Sequence, residues 1–238
     1  MSAEAGARRL ERVYVWEVPV RLCHWLIVGS ILVLSVTGIY IGNPFLSTEG
    51  EATRHFAMGT VKSVHFAAAM VFLVTVFARV LWMFAGNPYA RWHQFIPVSA
   101  TRLRRIGSTL AYYIFLRREP PAFVGHNPLA GLVYTVVFGL FFVMIATGLA
   151  LASAGAHVAS PLEPFQRLIP WLGGLQMARF IHHVCMWLIL GFAAHHVWSA
   201  FLIGTVERNS LMDSIFSGYK VLPPEVAERA RQHIEERR

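Results

Sequence analysis

Four stretches of about 20 residues, nearly free of charge, constrain this chain more than any other feature. They run from about Cys23 to Gly42, Val61 to Phe84, Leu129 to Ala152 and Phe180 to Thr205. Lys62 stands at the mouth of the second and Arg79 within it; the third and fourth hold no Asp, Glu, Lys or Arg. Each is apolar nearly all round, as a helix surrounded by lipid must be, because no water is there to satisfy a polar face or a bare backbone. Only 14% of the 238 residues are charged and 55% are hydrophobic, against about 25% charged in a soluble domain. That composition excludes a disordered chain, a disulfide scaffold and an ordinary soluble enzyme. The expected fold is an all-α integral membrane four-helix bundle, read as one domain over residues 1–238, with a loop at 85–128 and a tail at 206–238.

The basic residues orient the bundle. Arg8, Arg9, Arg12 and Arg21 precede the first run. Arg91, Arg102, Arg104, Arg105, Arg117 and Arg118 lie between the second and third, and Arg208, Lys220, Arg229, Arg231, Arg237 and Arg238 lie in the tail. Those segments hold 16 of the 21 Lys and Arg residues, which places both termini on the cytoplasmic side of a bacterial inner membrane. The net charge of +8 is thus an orientation signal, and no nucleic-acid partner is expected. No cleavable signal peptide is evident, so the first run is read as retained. Near Ser99–Leu116, Leu103, Ile106 and Leu110 recur at helical spacing among arginines. This suits either a basic amphipathic helix on the inner membrane face or ordinary loop structure.

Histidine carries the chemistry. His24 opens the first run, His65 stands early in the second, and His182, His183, His195 and His196 all lie in the fourth. Ionisable side chains are costly at these depths and mark function by default. Fourteen residues of helix advance about 1400°, within about 40° of the same face, and rise about 21 Å. His182 and His196 have that spacing; His183 and His195 stand well off the shared face. Up-and-down topology puts His65 at the level of His182 and His24 at the level of His196. Two imidazole pairs at two depths are what two b-type haems need, with both axial positions filled and none open to oxygen. Convergent zinc or copper ligation fits poorly, because the four aligned histidines separate into two levels. Arg79 is a candidate partner of an inner-haem propionate, or an arginine extending to the membrane surface. Lys62, Arg54 and Arg179 are candidate outer-haem partners. Thr37-Gly38 and Thr147-Gly148 recur near the same ends of the first and third runs, where a small residue lets a neighbour or a flat cofactor approach. Cys23 and Cys185 read as small apolar side chains, and no Cys-x-x-Cys-His is present for covalent haem.

Several motifs carry a resemblance. They are Pro19-Val20-Arg21 with His24-Trp25, Thr37-Gly38 with Tyr40-Ile41-Gly42, Gly50-Glu51-Ala52-Thr53, Met58-Gly59, His65-Phe66, Gly125-His126-Asn127-Pro128, Thr147-Gly148, His182 with Met186-Trp187, and His196-Val197. Together they resemble the b-type cytochrome subunit of membrane-bound nickel–iron uptake hydrogenases, part of a wider four-helix group of di-haem cytochromes. The resemblance implies two haem b groups on His24, His65, His182 and His196. It also implies an iron–sulfur hydrogenase small subunit as partner, with the large subunit behind it, and quinone as electron acceptor. The hydrogen chemistry would belong to the partners, leaving this chain electron transfer. Glu49, Glu51 and Arg54 would face the partner side, or be solvated loop charges. Two other readings stay open: the cytochrome of another respiratory oxidoreductase, formate dehydrogenase-like or b561-like, and a haem-free membrane anchor or transporter.

Overall fold

The computed structural model describes residues 10–45, 56–96, 100–114, 116–117, 128–157, 159–207 and 211–235. Four long helices coincide with the four apolar runs: α1 (Val18–Gly42), α2 (Ala57–Ala85), α4 (Pro128–Ser153) and α6 (Leu175–Glu207). They hold 25, 29, 26 and 33 residues, and all four are long and apolar enough to cross a membrane. At 1.5 Å per residue they are roughly 37–50 Å long, against a hydrocarbon core of about 30 Å. Helices α1, α2 and α6 begin four or five residues before their apolar runs and α4 one residue before, since helix extends into the flanks once nucleated. Pro19 sits in the first turn of α1 and Pro128 opens α4, where the missing N–H would have had no partner. Leu32, Val36, Val74 and Leu81 are at least 60% exposed, an apolar surface that suits lipid and not water.

Two compact units divide the described chain. One holds residues 22–80 and 139–190. Aromatic rings pack inside it: Phe72 meets Phe141 edge-on at 5.1 Å, and Phe77 meets Phe142 at 5.8 Å. Phe72, Val76, Phe141, Cys185 and Ile189 are buried.

The other unit holds residues 1–21, 81–138 and 191–238. It departs from an all-helical reading. Strand β1 (Glu11–Tyr14) pairs antiparallel with β2 (Tyr219–Leu222), from Glu11 opposite Leu222 to Tyr14 opposite Tyr219. Four residues per strand are too few for alternation to declare itself, and the partners lie some 200 positions apart. Against the pair pack α7 (Leu211–Ser217), on β2, and α8 (Pro224–Glu235), on β1; the unit also holds α3 (Ala100–Tyr113), while the short α5 (Leu168–Trp171) belongs to the first unit. Val13, Val15, Trp16, Val20, Tyr89, Ala90, Leu222, Ala227 and Ala230 make one core. The polar groups at its edge are satisfied in a chain. Glu17 accepts from the Trp82 indole and the Asn87 amide N–H, both at 2.9 Å. Asn87 donates to the Val15 carbonyl, and Tyr89 donates to the Ala230 carbonyl at 3.0 Å. Burial pushes the Tyr89 phenol up, which keeps it a donor.

Gly218 is obligatory here. Its φ of +88° is left-handed, and a Cβ would lie 2.7 Å from the Trp16 carbonyl oxygen. Its own carbonyl accepts from Val15 and Trp16 N–H. The tail therefore folds back onto the N-terminal segment. The stretch near Ser99–Leu116 is helical as α3, with Leu103 and Leu110 exposed on it.

Candidate functional site

Two histidines of the first unit are held alike. His65 on α2 is half-buried, and its Nδ1 lies 2.8 Å from Thr37 Oγ1 on α1. His182 on α6 is half-buried, and its Nδ1 lies 2.8 Å from Thr147 Oγ1 on α4. In both cases the threonine comes from a helix that carries no other part of the pair. The two imidazoles are close enough to interact electrostatically.

The hydroxyl hydrogens are already committed. Thr37 Oγ1 lies 2.6 Å from the Val33 carbonyl, and Thr147 Oγ1 lies 2.7 Å from the Val143 carbonyl. Oxygens that close need a proton between them, so each threonine donates backward to the residue one turn earlier. A hydroxyl has only one hydrogen, and toward the imidazole it can only accept. Nδ1 must then carry the ring proton in both histidines. The lone pair is left on Nε2, the atom that ligates iron or another metal.

The Thr-Gly echo now has a structural meaning. A Cβ built on Gly38 would stand 3.4 Å from His65 Cε1, and one on Gly148 would stand 3.4 Å from His182 Cε1. Threonine anchors the ring, and the following glycine leaves its edge clear.

The adjacent histidines sit differently. His183 is exposed; its Nδ1 pairs with the Arg179 carbonyl at 3.0 Å, and its Nε2 is packed where Gly42 would carry a Cβ, 2.7 Å away. His195 is exposed and faces Ser199, four residues along its own helix. His196, by contrast, is half-buried in the second unit. Phe192 stacks on it at 5.5 Å and 19°, and the Tyr134 hydroxyl lies 3.5 Å from its Nδ1. His24 is half-buried in the first unit, with Trp25 edge-on at 5.1 Å. Thus the four expected ligands are the half-buried members of the set, and both neighbours in the doublets are exposed.

The charged candidates divide as well. Arg79 is buried, at 6% exposure, and lies within electrostatic reach of Cys23. Lys62 and Arg179 are exposed, with Arg179 donating to Gln176 at 3.1 Å. Arg54, Glu49 and Glu51 lie outside the described residues. Sequence reasoning passed over Thr37 and Thr147 as hydrogen-bonding groups, and passed over Tyr134 and Phe192 altogether. The signal for the first two was the repeated Thr-Gly, read only for its small residue; Tyr134 and Phe192 look like any aromatic in an apolar run.

Among the described residues no three His, Cys, Asp or Glu side chains come together in a way that could hold a metal ion. A metal that brings its own in-plane donors needs only two protein ligands, and the His65 and His182 pair supplies imidazoles prepared for that role. The residues therefore fit a haem.

A family model described as prokaryotic cytochrome b561 matches residues 15–218, which include all four long helices up to their last turns and beyond. A probable Ni/Fe-hydrogenase B-type cytochrome subunit of Cupriavidus necator is 38% identical over 222 residues, covering 92% of this chain and 91% of the relative. The protein of that name from Bradyrhizobium diazoefficiens is 38% identical over 227 residues, covering 92% and 91%. The probable Ni/Fe-hydrogenase 1 B-type cytochrome subunit of Escherichia coli K12 is 37% identical over 215 residues, covering 87% and 90%.

Proposed function

Since the chain belongs to the prokaryotic cytochrome b561 family, we propose that it is the membrane cytochrome of a nickel–iron hydrogenase and carries electrons from that enzyme to quinone. The observation that carries this reading is the pair His65 and His182, each with Nδ1 bound to a threonine hydroxyl and Nε2 left to ligate. Haem b, held by these imidazoles, would supply a one-electron carrier suited to electron transfer.

The residues divide the work by depth. His65 and His182 hold one haem, and His24 and His196 hold the other. His182 and His196 stand 14 residues apart on the continuous helix α6, a rise of about 21 Å. Arg79 offsets propionate charge at the inner haem, and Lys62, Arg54 and Arg179 do so at the outer one. Glu49 and Glu51 meet the hydrogenase small subunit, an iron–sulfur protein through which the large subunit's electrons arrive. Residues 1–238 act as one multi-pass domain of the inner membrane. Both termini face the cytoplasm, as the basic segments require. The relatives' names support the partner, and the charge pattern supports the orientation.

A reduced-minus-oxidised spectrum of the purified chain, with pyridine haemochrome quantitation, tests the reading. Two haem b per chain are expected, together with co-purification of a nickel–iron protein and haem-dependent reduction of quinone. A chain without an absorption band would return it to a haem-free anchor. Haem with a different redox partner would make it the cytochrome of another respiratory complex.

A further inference from the structure

We propose that Thr37 and Thr147 are positioning residues that lock His65 and His182 in one tautomer and, by accepting their Nδ1 protons, hold down the reduction potential of the iron these histidines ligate. This rests on the ligand assignment above and adds to it a pair of residues that touch neither iron nor substrate.

Each hydroxyl has one hydrogen to give. Each threonine donates to a carbonyl one turn back, at 2.6 Å for Thr37 and 2.7 Å for Thr147. Each carries a second, longer approach to the carbonyl three residues back, at 3.3 and 3.2 Å. The only role left toward imidazole, at 2.8 Å in both cases, is that of acceptor. Thr147 is fully buried, so no water competes for that bond on its side.

An acceptor at Nδ1–H pushes electron density through the ring to Nε2 and makes it the stronger donor. A stronger axial donor favours the ferric over the ferrous state, which lowers the potential. Both ligands of one iron are treated alike, so the two effects act in the same direction. The repeat is also structural. Thr37 and Thr147 sit on α1 and α4, His65 and His182 on α2 and α6, so each ligand-bearing helix is tied to a helix that bears the acceptor. The glycine after each threonine faces the edge of the ring that the hydroxyl holds, where a Cβ would stand 3.4 Å from Cε1.

The test is a potentiometric titration of the whole chain in its complex, comparing Thr37→Val, Thr147→Val, Thr37→Ser and Thr147→Ser. Valine matches threonine in shape and lacks the hydroxyl; serine keeps the hydroxyl. Each valine variant is expected to raise the midpoint of one haem transition, the double variant to raise it further, and each serine variant to stay near the wild-type midpoint. A valine variant that loses that haem while its serine counterpart keeps it also supports the role. Unchanged midpoints in both valine variants, or serine variants that shift or lose haem as valine does, overturn the proposal. A wild-type chain that binds no haem would instead overturn the ligand assignment, so the two failures are distinct.

Discussion

His182 and His196 lie on one helix and one face, yet their surroundings have little in common. His182 is tied by a buried hydroxyl at 2.8 Å, and its companion His65 is tied in the same way. His196 lies against a stacked phenylalanine ring, with a tyrosine hydroxyl at 3.5 Å, the outer limit of a hydrogen bond. A short acceptor bond strengthens a ligand; a ring stack mainly shields it. The same residue type on the same helix thus meets a hydroxyl from another helix at one position and a ring of its own helix at the other.

The largest test of that contrast removes the ligands. His65→Ala or His182→Ala is expected to halve the haem content from two per chain to one, and His24→Ala or His196→Ala to remove the other. His183→Ala and His195→Ala should leave both in place. Pyridine haemochrome assay of the purified variants checks this, and a chain that loses haem with His183→Ala would reverse the choice within that doublet.

A second test compares the two sites within the intact protein. The haem on His65 and His182, with two acceptor bonds, should titrate at the lower potential. The haem on His24 and His196 should titrate higher. If the transition lost in His182→Ala is the higher one, the hydrogen bonds do not set the order.

Smaller still is the effect of the tyrosine. Tyr134→Phe keeps the ring and removes a contact at 3.5 Å, so its midpoint shift should be well below that of Thr147→Val. Equal shifts in the two variants would show that distance is not what separates the sites.

The smallest effect belongs to Gly148→Ala. Its Cβ would come to 3.4 Å from His182 Cε1, an ordinary contact. Alanine also favours helix by about 1 kcal/mol over glycine. Haem content should stay unchanged and thermal stability in detergent should hold or rise slightly. Gly148→Leu, with no room beside the ring, should lose the haem.

The candidate site was legible only in part. The four histidines emerged from spacing, because a helix converts sequence intervals directly into face and depth. The threonines did not emerge as partners, because Thr37 precedes His65 by 28 positions and Thr147 precedes His182 by 35. No periodicity links residues on different helices. For the same reason Tyr134 stayed hidden among apolar neighbours. Of the fold, the long helices were plain, and the β1–β2 pair was not, since its register joins Glu11 to Leu222.

Length, apolarity and the placement of arginine were enough by themselves to establish four spanning helices and an expected orientation, because lipid tolerates so few alternatives. The interval of 14 residues singled out His182 and His196 as candidates that share a face of one helix. Only the tertiary structure decided which ring nitrogen carries the proton. That choice depends on a hydroxyl from another helix and on the carbonyl to which that hydroxyl is already committed. It likewise decided that the N-terminal segment and the tail meet at Gly218, whose left-handed turn only a residue without a side chain accommodates. Local spacing reaches as far as one helix; the hydroxyls that hold His65 and His182 come from others.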